Sequence, residues 1–198
     1  GLFSPSEGSI NFSTKVTVGM VFQSPKDQII SGIVSRDTSF GPQNLRLPKS
    51  EIELRTIECL NMLDLLQKAS SSSYSLSLGQ TQKLAISGIL AIWPKVMILD
   101  ESVAMLDPAS RKRIFDFLRY WNRHGNTVIH ITHDIDAVKE TKKVIALEKG
   151  KVFYNGKTSD FLKNEKYLLN LTGPVLPPVD KKKAASKLLK KETSFGFN

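Results

Sequence analysis

A run of four apolar residues that ends in two adjacent acids constrains the fold of this chain more than any other feature. Residues 96–99 predict a short buried strand, and Asp100 and Glu101 follow it directly. Asp107-Pro108 then supplies a helix start, with aspartate as the N-cap and proline at the first helical position. Residues 127–131 predict a second strand. A strand, a helix and another strand in this order are typical of an α/β fold whose mostly parallel sheet is flanked by helices.

Apolar spacing predicts several further elements. A short buried strand is expected at residues 16–22, and a helix that is apolar nearly all round from Ser77 to about Trp93. Asp134 can cap a helix that runs to about residue 142. A hairpin is expected within residues 144–154, with the next turn at Asn155-Gly156.

Two predictions concern the segment between the first strand and the helix at Ser77. Residues 31–48 contain two glycines and two prolines and are predicted to form a loop. Residues 50–53 match a capping box, in which Ser50 and Glu53 would open a helix. The apolar side of that helix would consist of Leu54, Ile57, Leu60 and Leu63.

Composition narrows the class of protein. The chain has 198 residues, a formal net charge of +9 and a single cysteine, Cys59. One cysteine excludes a disulfide scaffold. No apolar run approaches the roughly 18–20 residues that a membrane helix needs, and no signal-peptide pattern opens the sequence. A cytoplasmic protein is therefore expected, with docking on a membrane surface left open.

Much of the positive charge lies at the end of the sequence. Residues 181–198 carry six lysines and one acid. A solvated tail is the ordinary interpretation of such a run. Binding to anionic lipid headgroups or to RNA is the alternative.

Two short polar segments adjoin predicted elements, one after a strand and one at the start of a helix. Gln23 directly follows the first predicted strand, although a polar residue in that place is ordinary. Ser77 can cap a helix whose first turn contains Gly79 and Gln80. Free N–H groups at a helix N-terminus suit a phosphate, and a simple capped helix is the alternative.

Two further polar segments follow strands. Asp100 can hold Mg²⁺, and Glu101 can orient or activate an attacking water, although acids at a strand end can also be plain surface residues. His133 follows the strand at 127–131, where it can contact a terminal phosphate or a water; a structural histidine is the alternative. His124 and His130 have no such context and are predicted to be structural.

Taken in order, these segments resemble the motifs of ATP-binding cassette (ABC) ATPases, and the resemblance runs through nearly the whole chain. VFQSPKDQ at 21–28 is similar to the Q-loop, LSLGQ at 76–80 to the signature, VMILDE at 96–101 to the Walker B strand, SVAMLDP at 102–108 to the D-loop, and THD at 132–134 to the switch histidine. Within that family, FGPQNLRL at 40–47 and LPPV at 176–179 resemble the cobalt/nickel and energy-coupling-factor vitamin importers.

The resemblance implies a P-loop NTPase-like fold, with ATP and Mg²⁺ as cofactors and a role for each motif residue. Asp100 and Gln23 would hold the metal, Glu101 would be the general base, and His133 would contact the γ-phosphate. Ser77, Gly79 and Gln80 of the signature would grip the γ-phosphate of a nucleotide held by the opposite subunit. Asp107 of the D-loop would bridge the two subunits. A dimer of two ATPase subunits, identical or paralogous, and a transmembrane transporter subunit would be the partners.

The resemblance also implies a division of the chain into four parts. Residues 1–39 would belong to the ATPase core with the Q-loop, and residues 40–94 would form the helical and signature subdomain. Residues 95–165 would continue the core through the Walker B, D-loop and switch motifs. Residues 166–198 would form a C-terminal extension with the lysine-rich tail.

The sequence departs from the family pattern in several places. Leu78 stands where the signature usually has a glycine, Ser102 where a proline usually follows the glutamate, and Met105 where the D-loop usually has a glycine. The phosphate-loop motif G-x-x-x-x-G-K-[ST] does not occur in the 198 residues. Residues 1–8 resemble the segment just after the phosphate-loop helix, so the N-terminal portion of the fold, including a central strand, is expected to belong to a longer parent chain.

Three functions follow from these observations. The first is an ATP-hydrolysing subunit of a membrane importer, peripheral on the inner face of the cell membrane. The second is a non-catalytic partner that offers only its signature helix to another ATPase, which the bulk of Leu78 and the lack of a phosphate-loop motif favour. The third is a soluble ABC protein acting on nucleic acid through the lysine-rich tail; the single cassette and the segment at 40–47 speak against it, so no nucleic-acid partner is expected.

Overall fold

The computed structural model describes residues 5–9, 11, 16–164 and 167–168. The chain divides into two compact units, residues 1–133 and residues 134–198. The segment at 176–179 and the lysine-rich tail lie outside the described residues. Among the residues that the structure describes, no helix has both the length and the apolar character needed to span a bilayer.

A three-stranded parallel sheet forms the centre of the first unit. Its strands are β1 (Val18–Val21), β2 (Val96–Asp100) and β3 (Thr127–Ile131), in the order β1-β2-β3. Val21 pairs with Leu99, and Asp100 pairs with Ile131. Because all three strands run in the same direction, their carboxyl ends meet at one edge, which is where α/β sheets place their ligands. The predicted α/β fold with a parallel sheet is confirmed.

Two helices pack against this sheet. Helix α3 (Leu78–Ala91) packs against β1, and helix α4 (Pro108–Arg123) packs against β3. The approach of α3 is so close that a Cβ placed on Gly19 of β1 would lie 2.7 Å from Cγ2 of Ile89. The predicted helix that starts at Ser77 is confirmed, and its side chains are buried on most sides.

The predicted loop at residues 31–48 is wrong, because helix α1 (Val34–Asn44) occupies most of it. Val34 lies in an apolar core with Leu60, Leu65 and Leu84. Thr38 forms a buried hydrogen bond of 2.8 Å with Ser87 of α3. These tertiary contacts outweigh the weak helix propensity of Gly41 and Pro42.

The predicted capping box at Ser50 is also wrong. Helix α2 (Lys49–Met62) begins earlier, with Pro48 as its N-cap and no side-chain cap. Leu60 and Leu63 are buried as expected, but Leu54 and Ile57 are exposed. The buried face of α2 therefore lies to one side of the predicted stripe, and Thr56 and Cys59 complete it.

Arg55 of α2 fixes the end of α3. Its guanidinium lies 3.9 Å from the ring centroid of Trp93 and 2.8 Å from the carboxylate of Glu51. The same group donates to the carbonyl oxygens of Ala91 and Ile92 at 3.4 Å each. One planar cation thus satisfies the carbonyls of Ala91 and Ile92, which the end of the helix leaves without an intrahelical donor.

The second unit contains α5 (Ile135–Lys139), the antiparallel strands β4 (Lys143–Glu148) and β5 (Lys151–Lys157), and α6 (Thr158–Phe161). Val138, Ala146 and Phe161 form its core. Asp134 caps α5 by accepting from the amide of Asp136 at 2.9 Å, as predicted. The hairpin is confirmed, but Asn155-Gly156 lies inside β5 rather than in a turn.

Candidate active site

The carboxyl edge of the parallel sheet brings Glu101 and His133 into contact. Nδ1 of His133 lies 2.7 Å from Oε1 of Glu101. Because a carboxylate only accepts hydrogen bonds, Nδ1 is the donor. The histidine is 75% exposed, whereas the glutamate side chain is only 19% exposed. The pair therefore consists of a solvent-accessible imidazole that is hydrogen-bonded to a mostly buried carboxylate.

The backbone of Glu101 adopts a conformation that disfavours residues with a side chain. Its φ is 51°, in the left-handed region. The chain leaves β2 at this point, while the amide of Glu101 still donates to the carbonyl of Ile131 at 3.0 Å. Such strain is held in place by surrounding structure and concentrates at functional sites.

The second carboxylate oxygen of Glu101 has no hydrogen-bond partner among the described residues, although it is buried. A buried acceptor without a partner costs free energy unless a bound molecule supplies the missing donor. A water molecule between this oxygen and a phosphate would satisfy it. This atom is the observation by which the site fits an ATP-hydrolysing function.

Asp100 and Gln23 lie at the same edge of the sheet. Asp100 ends β2, and Gln23 stands two residues beyond Val21 of β1. Gln23 is exposed. No cluster of three or more His, Cys, Asp or Glu residues suited to a metal occurs in the part of the chain that the structure describes. A Mg²⁺ site with one carboxylate needs no such cluster, because phosphate oxygens and waters complete the octahedron.

The Q-loop is fixed by a residue that sequence analysis did not single out. The side chain of Gln28 accepts from the amide of Phe22 at 2.8 Å and donates to the carbonyl of Met20 at 2.9 Å. The side-chain amide of Gln28 therefore continues the hydrogen bonding of β1 past its last residue, Val21. It thereby fixes the backbone that leads into Gln23. A glutamine five residues later in the sequence gives no local signal of that role.

The other end of the Q-loop is held by Asp37. Its Oδ1 accepts from the amides of Ile30 and Ser31 at 2.7 and 2.8 Å. Burial raises the pKa of this carboxyl above its ordinary value, and the two amide hydrogen bonds oppose that shift. The loop that joins the sheet to α1 is thus anchored at both ends.

The signature segment forms a complete helix N-terminus. Ser77 caps α3 through a capping box: the amide of Gln80 donates to Oγ of Ser77 at 3.4 Å, and the amide of Ser77 donates to Oε1 of Gln80 at 3.1 Å. Gly79 lies in the first turn between them. Oγ of Ser77 and Oε1 of Gln80 are therefore both used in the cap. Nε2 of Gln80 takes no part in the cap and is a hydrogen-bond donor.

Asp107 caps α4 and contacts α3. Its Oδ1 accepts from the amide of Ser110 at 2.9 Å, and its Oδ2 lies 2.9 Å from Nζ of Lys83. The Ser110 amide and then the Lys83 ammonium hold the pKa of this carboxyl well below its usual range. Lys83 is a second residue that the sequence patterns missed, because no spacing rule connects positions on different helices.

The three departures from the family pattern differ in exposure. Ser102 is fully buried, whereas Leu78 is 49% exposed and Met105 is 64% exposed. A Cβ on Gly79 would lie 3.5 Å from the carbonyl oxygen of Met105, so the signature and the D-loop are in contact. Two large apolar side chains therefore stand on the surface formed by these two segments.

The geometry defines a class: an α/β protein with two carboxylates and a histidine at the carboxyl edge of a parallel sheet, and a capped helix N-terminus on a separate element. The family model for the ABC transporter matches residues 1–104. The chain belongs to the ABC transporter family, in its ATP-binding branch.

Its relatives carry a narrower name. The energy-coupling factor transporter ATP-binding protein EcfA1 of Lactobacillus johnsonii is 39% identical over 176 residues, which cover 88% of this chain and 61% of the relative. The protein of the same name from Staphylococcus aureus is 37% identical over 180 residues, which cover 90% of this chain and 65% of the relative. The chain thus spans less than two thirds of the length of these relatives.

Solved structures give the same family. CbiO1 from Clostridium perfringens, described as part of the ABC transporter complex cbiONQ, matches with a TM-score of 0.64 and 31% identity, over 88% of this chain and 67% of that chain. A dimeric ATP-binding cassette in a post-hydrolysis state, bound to ADP and Pi, matches with a TM-score of 0.64 and 28% identity, over 72% of this chain and 63% of that chain. The P-loop NTPase-like fold expected from the motifs is confirmed.

Proposed function

We propose that the chain acts in an ATP-binding and ATP-hydrolysing subunit of an energy-coupling-factor-type importer, and couples hydrolysis to solute transport. The observation that carries the proposal is the 2.7 Å contact between Glu101 and His133, beside a buried carboxylate oxygen without a partner in the described chain. The names of the relatives, which are transporter ATP-binding proteins, support it.

Each residue of the edge has a role in the proposed reaction. Oε2 of Glu101 accepts the proton of an attacking water, which is general-base catalysis. His133 donates to the carboxylate through Nδ1, and its imidazole is exposed. A neutral imidazole that donates from Nδ1 has only a lone pair on Nε2, so a hydrogen bond from Nε2 to a phosphate oxygen requires the imidazolium form.

Asp100 and Gln23 are the residues that would hold Mg²⁺. When bound, this ion neutralises charge on the phosphates of ATP. Both residues supply oxygen ligands, which Mg²⁺ prefers. Asp100 directly precedes Glu101, and Gln23 follows the neighbouring strand at the same edge of the sheet, which fits that role.

The signature segment would act on a nucleotide bound by a second ATPase subunit. The N-terminus of α3 offers free backbone N–H groups and a helix dipole, which favour an anion. Ser77, Gly79 and Gln80 lie at this terminus, and Asp107 lies on the adjoining D-loop. Two subunits would thereby share each ATP, and a transmembrane subunit at the inner face of the membrane would complete the importer.

A single charge substitution tests the signature role. Ser77→Asp keeps a good N-cap and hence helix α3, but it places a negative charge where the phosphate would bind. Association of the chain with an ATPase subunit that carries a phosphate loop is measured by sedimentation, with and without Mg-ATP. ATP-dependent association is expected for the wild type and not for Ser77→Asp.

The matched control is Ser72→Asp, because Ser72 is exposed and its side chain makes no capping hydrogen bond. It should associate like the wild type. Wild-type association that ignores Mg-ATP would contradict the proposal. Calorimetry with Mg-ATP then distinguishes two forms of the function. Binding of Mg-ATP to the chain alone supports hydrolysis at the chain's own carboxylates. Association with the second subunit without such binding supports the role of a partner that offers only its signature helix.

A further inference from the structure

Lys83 makes a contact that is unusual for a lysine. Its side chain is only 13% exposed, and its ammonium is directed at one carboxylate, Asp107, 2.9 Å away. Ordering and partly burying a lysine costs side-chain entropy and solvation, so a surface location would be the default. The location instead places a cation between helix α3 and the start of helix α4.

Several contacts hold the D-loop, residues 102–108, at this place. Val103 and Leu106 are buried, and Nε of Arg111 donates to the carbonyl of Val103 at 3.4 Å. The carbonyl of Met105 adjoins Gly79, as described above. The ion pair with Lys83 is a charged contact between the D-loop and the signature helix.

We propose that Lys83 is a positioning residue of the ATP site shared between subunits: it fixes Asp107 so that the signature segment and the D-loop face the second subunit as one surface. The inference rests on the proposed function. In the structure both oxygens of Asp107 are engaged within its own chain, by Ser110 and by Lys83. Asp107 therefore acts on the second subunit mainly by setting the path of the D-loop, in which the side chain of Met105 is exposed.

A first experiment tests the positioning in the isolated chain. The variants are Lys83→Met, which removes the charge and keeps the length of the side chain, and Lys83→Arg, which keeps the charge. NMR titration follows the Asp107 carboxyl, and amide exchange follows Leu106. In Lys83→Met the pKa of Asp107 should rise and still stay below its ordinary range, because the Ser110 amide still donates. Exchange at Leu106 should quicken by at least about fivefold, the scale of one lost hydrogen bond.

A second experiment tests the consequence in the reconstituted complex with a second ATPase subunit. Lys83→Met should lower kcat by about tenfold to a hundredfold, which is the scale of misplacing a group near the reacting atoms. KM for ATP should change less than twofold, and Lys83→Arg should recover most of the lost kcat. A merely structural lysine would lower stability without this division between kcat and KM.

Lys49→Met is the control. It makes the same substitution at an exposed lysine of helix α2, which is paired with Glu53 at 3.8 Å and lies far from Lys83 in the sequence. It should leave every readout unchanged. If Lys83→Met does not fold, Lys83→Gln is measured in its place. If Lys83→Met changes neither the pKa of Asp107 nor the amide exchange of Leu106, Lys83 does not position Asp107. If the D-loop amides lose protection in Lys83→Met but kcat of the complex is unaltered, the positioning has no role in the shared ATP site. A wild-type complex without ATPase activity would contradict the proposed function instead, and the NMR result would still stand.

Discussion

Nδ1 of His133 and Oε1 of Glu101 are 2.7 Å apart, although 31 residues separate them in the sequence. The contact exists because β2 and β3 are neighbouring parallel strands, with Asp100 in register with Ile131. Each residue follows its own strand by one or two positions. Parallel pairing alone thus brings a carboxylate and an imidazole together at one edge of the sheet.

The first prediction concerns Glu101→Gln. In a version of the chain completed with a phosphate loop, this variant should bind ATP like the wild type and hydrolyse it at least about 10²-fold more slowly, because glutamine cannot accept the proton of water. Single-turnover hydrolysis and nucleotide binding are measured separately. Turnover close to that of the wild type would remove Glu101 from the role of base.

The second prediction concerns the left-handed backbone of Glu101. Glu101→Gly and Glu101→Ala both lose the contact with His133, but only glycine adopts a φ of 51° without strain. A side chain there costs ~1–2 kcal/mol, and the greater backbone entropy of unfolded glycine offsets ~0.4–1 kcal/mol of that. The glycine variant should therefore be more stable than the alanine variant by about 0.5–1 kcal/mol.

Urea unfolding of the two variants gives this difference directly. The same pair of substitutions at Glu53, inside helix α2, is the control. There the order should reverse, since alanine is the better helix former by about 1 kcal/mol. Equal order at both positions would mean that residue 101 carries no strain.

The third prediction concerns pH. The Ser110 amide and the Lys83 ammonium lower the pKa of folded Asp107 below its ordinary value of 3.8. The folded state therefore binds fewer protons at this group than the unfolded state, so its stabilising contribution is present above the ordinary pKa and is lost as pH falls through the folded value. Asp107→Asn keeps a capping acceptor and removes the titration.

Urea unfolding of both proteins between pH 6 and pH 2 checks this. The wild type should lose its advantage over Asp107→Asn progressively below about pH 4, where the unfolded carboxylate takes up its proton. Parallel pH profiles would show that Asp107 titrates alike in both states. Because Asp107 is half exposed, the effect should also shrink with added salt.

The fourth prediction concerns the packing of β1 under α3. Gly19→Ala should lower the free energy of unfolding by about 1–3 kcal/mol, since its Cβ would meet Ile89 and the stiff ring of Pro94 at 2.7 and 3.0 Å. Gly88→Ala is the matched control, because its Cβ would have only an ordinary contact of 3.8 Å with the carbonyl of Asp37. That variant should gain up to about 1 kcal/mol from helix propensity. Urea unfolding that ranks Gly19→Ala above Gly88→Ala would contradict the packing.

Sequence patterns predicted the elements whose signals are local. The strand before Asp100, the caps at Ser77, Asp107 and Asp134, and the hairpin of the second unit each carry their own turn or cap residues. The placement of Glu101 beside His133 then follows from the rule for parallel strands. The roles of these residues, and the four-part division of the chain, remain predictions.

The misses share one physical cause. Helix α1 contains Gly41 and Pro42, so local propensity opposes it, and only contacts such as Thr38 with Ser87 reveal it. Lys83 with Asp107, and Gln28 with the end of β1, likewise join positions that no periodicity relates. Side-chain contacts between distant segments decide these features, and a single sequence does not encode such pairs in its spacing.

The register of β2 has a consequence for insertions and deletions. Strand β2 is paired on both sides, and side chains alternate between the two faces of a sheet. Removing one residue between 96 and 99 would move the remaining side chains of β2 to the opposite face of the sheet. Alternatively, it would bring Glu101 into the paired part of the strand and away from His133. The turn at residues 124–126 is not paired between two strands, and a Cβ on Gly125 would meet no atom within 4 Å. Length changes should therefore accumulate at that turn in homologous chains, while β2 keeps its number of residues.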